Sequence, residues 1–430
     1  MFKGRGVTPV EYIVVIAAAV LLVVVVHAGL KPRVAWCALP VLLAAFAVRL
    51  AVHVLLMRSG LGYGGDNYSY EARALGIVEL WHRNGVHYVT SDELGSVYGV
   101  AVPCHVFALV MYLCGGRAPL ACTSIVALLG CALCVVLYRF ARLLGADERA
   151  AFRLLVLTAF LPGFLLHTSD MFKDGFNAFL VVTCLGLAVS NLRRFDPLKV
   201  VALGPLLWAL WNVRPYMVFM CSLPLLAGAV RVRHALSGRS LVVFAVVLIP
   251  VLVLLQGFDQ GLDQDGGPLG TMQAQLDRGQ SQHTRLANAE GGSGVVFDDG
   301  GNAWSDLGPK LAYTLLSPFP WASGSMALQL GKIDTLLWYW LLFCAVQGAR
   351  HLWRHDRRTL LILLLFLVPA SVAYATTMSN IGLIFRQRIP IVMVTSLLSA
   401  IAWSRTRPYA GPPEERAADP EAPGSLVRGT

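Results

Sequence analysis

The sequence predicts an all-α, polytopic integral membrane protein with about ten to twelve transmembrane helices. Three observations carry that expectation. Of 430 residues, 56% are hydrophobic and only 14% charged, a balance foreign to soluble domains. Apolar runs recur from Val10 to Trp403, and a helix satisfies its own backbone amides in hydrocarbon. Basic residues collect in alternate short loops, as the positive-inside bias would place them.

The first run, Val10 to Gly29, follows Lys3 and Arg5 but is longer than a signal-peptide core and lacks a small-residue cleavage site. It reads as an anchor helix. Further spans are expected at Val34 to Met57, Ala118 to Tyr138, Leu154 to Thr168, Gly175 to Leu192, Leu198 to Val213, Pro215 to Val230 and Ser240 to Gln256. Three more follow at Ile333 to Ala349, Thr359 to Thr376 and Ile389 to Trp403. The run Val100 to Gly115 is short and contains Pro103, so it reads as a re-entrant or juxtamembrane segment rather than a full span.

Arg139, Arg142, Arg149 and Arg153 form one basic loop; Arg193, Arg194 and Lys199 form the next. Arg231, Arg233 and Arg239, then Arg350, Arg354, Arg357 and Arg358, then Arg405 and Arg407 complete the series. These loops are assigned to the cytoplasm, with the C-terminus, in a multi-pass protein of the cell membrane. A re-entrant 100–115 then places 58–99 outside, with Lys31 and Arg33 inside. The organisation expected is an anchor helix at 1–33 and a membrane core at 34–256 with its first external loop at 58–99. An external, partly disordered loop with an interfacial segment follows at 257–332, then C-terminal helices at 333–404 and a disordered tail at 405–430.

The net charge of +10 resides in those loops, so nucleic acid is not an expected partner. All nine cysteines lie in or beside apolar segments, which indicates no disulfide framework. Cys131 and Cys134 read as packing residues. Soluble-enzyme signatures such as a phosphate-binding glycine loop are absent from the sequence.

Three polar constellations stand out on the expected outer face. In Gly64-Gly65-Asp66-Asn67-Tyr68, Asp66 reads either as a base for an acceptor hydroxyl or as a helix cap with Tyr70, Ala74 and Ile77 buried behind it. In His167-Thr168-Ser169-Asp170-Met171-Phe172-Lys173-Asp174, two carboxylates and an ammonium crowd a helix junction, as a site for a metal or phosphate would. Arg214, Arg386 and Arg388 are arginines on the side where the bias disfavours them, and a guanidinium fork suits phosphate oxygens. Arg49 and His53 lie inside a span; Arg49 is expected to snorkel or to pair with an acid such as Asp66.

These residues resemble the GT-C superfamily of membrane glycosyltransferases that use polyprenyl-phosphate sugars, particularly its protein-mannosyltransferase-like members. The similar parts are Ala47-Val48-Arg49-Leu50, Gly65-Asp66-Asn67-Tyr68, Val102-Pro103-Cys104-His105, Tyr138 to Gly145 and Arg386 to Pro390. The resemblance implies that Asp66 activates the acceptor and that Asp170 or Asp174 supports it or binds a divalent cation, Mg or Mn, with Asp66 and Asp170 as possible ligands. It further implies that Arg386 and Arg388 hold the lipid phosphate; the residue chemistry itself adds Lys173, Arg214 and Arg49 as phosphate-binding candidates. The partners implied are the bilayer, a polyprenyl-phosphate-linked sugar and a glycan, lipid or protein acceptor. The chain departs from the family pattern at Asn67, where an acid is common, and at Val102-Pro103-Cys104-His105. Two other readings share the many spans: a Wzy-like polysaccharide polymerase or O-antigen ligase, resting on external Arg or His, and a non-enzymatic transporter or flippase, for which Arg49 is the main residue.

Overall fold

A computed structural model describes residues 8–59, 66–194, 196–229, 277, 280–290, 294–297, 300–322, 326–377 and 380–404. Regular structure among them is helical; the one β feature is an isolated bridge between Gly294 and Asn380. The first helices are α1 (Pro9–Gly29), α2 (Pro32–Ser59), α3 (Asp66–Asn84) and α4 (Ala101–Leu113). Next come α5 (Pro119–Leu144), α6 (Glu148–Ala159), α7 (Pro162–His167), α8 (Asp174–Arg193), α9 (Pro197–Trp211) and α10 (Pro215–Ala229). The C-terminal part holds α11 (Gln282–Ala289), α12 (Leu307–Leu316), α13 (Met326–His355), α14 (Arg357–Thr377), α15 (Ile381–Gln387) and α16 (Ile389–Ala402).

By length and composition, α1, α2, α5, α8 and α14 can each cross a bilayer, and the bent pair α15–α16 makes a sixth candidate among the described residues. Helices α4, α9 and α10 are shorter and apolar. The protein is therefore a multi-pass, all-α membrane protein. The expected span Ser240 to Gln256 lies outside the described residues, as do the acidic 257–276 and the tail from 405.

A proline explains the break in one expected span. Leu154 to Thr168 is not one helix: α6 ends at Ala159 and α7 restarts at Pro162, where a ring without an N–H cannot continue the preceding helix but suits a new first turn. Pro103 does not break its run either. It sits in the first turn of α4, whose thirteen residues reach about 20 Å, short of a hydrocarbon core. Within 257–332, α11 is helical, capped by Ser281, whose hydroxyl accepts from the Thr284 N–H at 3.3 Å. The expected interfacial segment begins with α12 and ends with Trp321, whose side chain is exposed.

Helix α5 is the buried axis: Ala121, Leu133, Cys134 and Leu137 are fully covered, and α1, α2, α6 and α8 pack around it. Cys131 and Cys134 are buried free thiols turned toward the Leu42 and Gly130 carbonyls, which bears out the packing reading. Helix α16 is covered on almost every side by α13, α5, α8 and α6. The α13–α16 contact is the closest: the Ser399 hydroxyl donates to the Leu341 carbonyl at 2.7 Å, and a Cβ on Gly348 would collide with the Leu398 carbonyl.

The two ends of the bundle differ in charge. The C-terminal ends of α5, α8, α13 and α16 meet around a cavity lined by Gly145, Arg193, His351, Asp356 and Ser404. There Arg193 pairs with Asp356 at 3.2 Å and the Asp147 N–H donates to the Ser404 hydroxyl at 2.5 Å. Three of the alternate basic loops thus share one end, and the polar constellations gather at the other.

Substituting Gly348→Ala should force α13 and α16 apart, destabilising the protein by about 1–3 kcal/mol; thermal unfolding in detergent checks this, and an unchanged melting temperature would refute the packing.

Candidate functional site

Asp174 opens α8, and its carboxylate is buried, 1% exposed. Both oxygens are taken. Oδ1 accepts from Arg214 Nη2 at 2.7 Å, and Oδ2 accepts from Arg386 Nε at 3.1 Å. Arg214 occupies the tight turn between α9 and α10, where Pro215 begins the next helix. Its Nη1 donates to the Tyr216 hydroxyl at 2.8 Å. Arg386 comes from the last turn of α15, immediately before the 55° bend into α16.

Arg386 has a second acid. Its Nη1 donates to Asp66 Oδ2 at 2.8 Å, and the Asp66 side chain is 51% exposed, in contrast to Asp174. Asp66 is the first residue of α3, and Tyr70, Ala74 and Ile77 lie on that helix's buried face. Asp66 thus opens a helix with a buried face behind it while its own carboxylate is half-exposed. The guanidinium of Arg386 also stacks over Phe172 at 5.0 Å, which fixes its plane between the two carboxylates.

These groups surround one cavity of about 320 Å³, lined by Asp66, Tyr70, Tyr98, Lys173, Arg214, Tyr216, Arg386 and Gln387 among others. Of the residues singled out in the sequence, it unites Asp66, Lys173, Arg214 and Arg386, with Asp174 buried behind the arginines. The formal charges there are three positive (Lys173, Arg214, Arg386) against two negative (Asp66, Asp174), a surplus of one that suits an anion. The Lys173 ammonium is partly enclosed; burial, then the neighbouring Arg214 and Arg386 charges, holds its pKa down to about 7. Burial, then Asp174 and Asp66, raises the pKa of the Tyr70 phenol, so it stays protonated.

Asp170 stands one step away. Its Oδ2 accepts from Asn67 Nδ2 at 2.8 Å and its Oδ1 from the Met171 N–H at 2.7 Å, with His53 Nδ1 at 3.6 Å and Thr123 beyond it. It thus braces the first turn of α3 from behind.

Arg49 and Arg388 lie elsewhere. Arg49, fully buried, donates to Thr168 Oγ1 at 2.7 Å and to the Ala45 and Ala159 carbonyls at 3.0 Å each, under Phe164. It neither snorkels nor pairs with Asp66. Arg388 stacks on Phe385 at 4.4 Å, donates to the Ser317 carbonyl at 2.6 Å, and has Asp334 at 3.9 Å.

Sequence reasoning did not assign Tyr216, Gln387 or Asp334, and it read Tyr70 only as core. Tyr70 carried a usable signal, since it follows Asp66 by four residues and so shares its helix face. Among the described residues no group of three or more His, Cys, Asp or Glu side chains is arranged to hold a metal ion. Of the two ligands expected from the sequence, Asp66 accepts from Arg386 and Asp170 from Asn67 through their Oδ2 atoms.

No protein-family model matches this chain, and neither does any curated protein sequence. Among solved structures, it is similar to the archaeal oligosaccharyltransferase AglB from Archaeoglobus fulgidus, solved in complex with an inhibitory peptide and a dolichol-phosphate, with a TM-score of 0.49 and 15% identity. The match covers 86% of this chain and 50% of that one, so this chain spans half that protein's length.

Replacing Asp174 with Asn leaves the buried Arg214 without its counter-charge and Arg386 with Asp66 alone, a loss of about 3–5 kcal/mol. Asp174→Asn should accumulate poorly or unfold at markedly lower temperature, whereas Asp66→Asn, at the exposed end of the chain of ion pairs, should fold normally. Equal melting temperatures for the two variants would contradict the arrangement.

Proposed function

We propose that this protein is a membrane glycosyltransferase that moves a sugar from a polyprenyl-phosphate donor to an acceptor hydroxyl at the outer membrane face. One observation carries the reading: a half-exposed carboxylate, Asp66, shares a cavity with three cationic side chains, Lys173, Arg214 and Arg386. Sugar transfer from a phosphate needs both kinds of group.

In the step proposed, the acceptor oxygen attacks the anomeric carbon as the bond from that carbon to the phosphate oxygen breaks, inverting the centre. Asp66 takes the acceptor's proton. A donor phosphodiester carries one negative charge and leaves as a phosphate with a second, so cations fixed beside it stabilise the transition state more than the ground state. Arg214 and Arg386 are held in place by Asp174, so little reorganisation accompanies the departure. Tyr70 and Tyr216 present phenol groups to the same space and would contact sugar hydroxyls.

The competing readings fare less well on this geometry. A transport reading rested on Arg49, which is packed between α2, α6 and α7 away from the cavity. A polymerase or ligase independent of Asp66 would leave unexplained why that carboxylate is presented to the cationic cavity.

Topology and chemistry test the proposal together. A single cysteine placed near Asn67 should react with a membrane-impermeant thiol reagent in intact cells, and Asp66→Asn should abolish transfer while the protein still accumulates. Protection of the cysteine, or activity retained in the variant, would sink the assignment of Asp66.

Lys173 adds a pH dependence. Its pKa in the folded protein is about 7, below the ordinary lysine value, so it is charged below that pH and loses its proton above it. A phosphodiester donor does not titrate in this range, so its apparent affinity should fall as pH rises through about 7. Lys173→Met should weaken donor binding at pH 6 and flatten the profile; an unchanged slope would remove Lys173 from the phosphate site.

A further inference from the structure

Asp334 is an acid that nothing in the proposed reaction uses. It lies in the first third of α13, 6% exposed, in a helix otherwise rich in Leu and Trp. A buried carboxylate is costly unless it is paired, and its partners show what it holds.

Its two oxygens reach two different parts of the chain. Oδ1 accepts the Gly163 N–H at 2.8 Å, at the start of α7. Oδ2 faces Arg388 Nη2 at 3.9 Å, at the bend between α15 and α16. The fit at Gly163 is tight: a Cβ there would lie 3.0 Å from both carboxylate oxygens. Each partner leads directly into the candidate site. From Gly163 the chain runs through α7, where the Gly163 carbonyl meets His167 Nδ1 at 2.6 Å, and on to Lys173 and Asp174. From Arg388 it is two residues back to Arg386. Arg388 is itself fixed, by the Ser317 carbonyl at 2.6 Å and by Phe385 at 4.4 Å.

Two of the cavity's cations, Lys173 and Arg386, therefore come from chain segments that meet twice. They meet at the Asp174–Arg386 ion pair, which is part of the site, and again at Asp334 behind it. We infer that Asp334 is a positioning residue for the phosphate-binding cations, setting the distance between the segment that carries Lys173 and Asp174 and the bend that carries Arg386. A carboxylate suits that role because one oxygen serves the Gly163 amide while the other faces the Arg388 charge. This inference rests on the glycosyltransferase reading for its kinetic consequences, but the geometry it describes is independent of that reading.

The test uses the full-length protein in membranes or detergent. Asp334→Asn keeps an acceptor for Gly163 and removes the charge facing Arg388; Gly163→Ala presses on the same contact while leaving both charges, so either variant serves if the other fails to accumulate. Misplacement of reacting groups by a distant substitution costs up to about a hundredfold in rate. The expected outcome is a kcat reduced at least about tenfold, with the loss shrinking below about twofold when Arg386 is already Ala, since two changes acting through one group are not additive. A full, additive loss in the Arg386→Ala background would overturn the positioning role and leave Asp334 a fold-stabilising acid.

A second arm needs no activity. Lys173→Cys, with the native cysteines replaced, should change its labelling rate with an impermeant maleimide at least about threefold when Asp334→Asn is added, as a shifted α7–α8 segment requires. An unchanged rate overturns the inference. If the wild-type protein transfers no sugar from any polyprenyl-phosphate donor, the functional reading fails while the labelling comparison still decides the role of Asp334.

Discussion

The candidate site hangs on one buried carboxylate. Asp174 accepts from Arg214 on one oxygen and Arg386 on the other; it is the carboxylate paired with Arg214, and Arg386 shares it with Asp66. Two arginines would otherwise repel each other and seek water. Held by a shared acid, they become fixed donors facing a cavity, with Arg386 still able to reach Asp66. The arrangement is a chain of alternating charge running from a fully buried end to a half-exposed one. Only the outer end, Asp66, is half-exposed.

Around that chain the fold supplies supports of a different kind. The acids and arginines of the site sit at breaks in helical structure: Asp66 and Asp174 at helix starts, Arg214 in the turn before Pro215, Arg386 at the bend before α16. Breaks are where backbone groups lack intrahelical partners and where side chains project from the end of a helix rather than into its neighbours. In a bilayer such irregular backbone persists only when protein or a water-filled space satisfies it. The polar seam of Asn67, Asp170, His53 and Thr123, and the Asp334 contacts with Gly163 and Arg388, provide that satisfaction from behind.

Much of the fold was legible because hydrophobic run length reports the solvent. The spans near α1, α2, α5, α8 and α14 fall where the apolar runs predicted them, and Cys131 and Cys134 pack as ordinary apolar residues. Some departures fall at prolines. Composition cannot distinguish a proline that breaks a helix from one that starts it, and so Pro162 split an expected span while Pro103 opened a helix. The site was legible in part: sequence pointed to Asp66, Lys173, Arg214 and Arg386, and left Asp170 and Asp174 unresolved. It grouped Arg386 with Arg388 because they are two residues apart, yet on a helix that spacing turns side chains about 200° from each other. One faces the cavity and the other faces Asp334.

What the sequence by itself determined is what local pattern encodes: a bilayer solvent, helical secondary structure, basic loops at one end and polar residues at the other. Tertiary structure alone decided which charges meet. Asp174 and Arg386 are 212 positions apart, and Asp66 and Arg386 are 320 apart. Ion pairing depends on distance and burial in space, and a carboxylate's choice among several arginines leaves no periodicity to read. The same reason hid Asp334, whose neighbours in the chain are largely apolar and whose partners lie on α7 and at the start of α16.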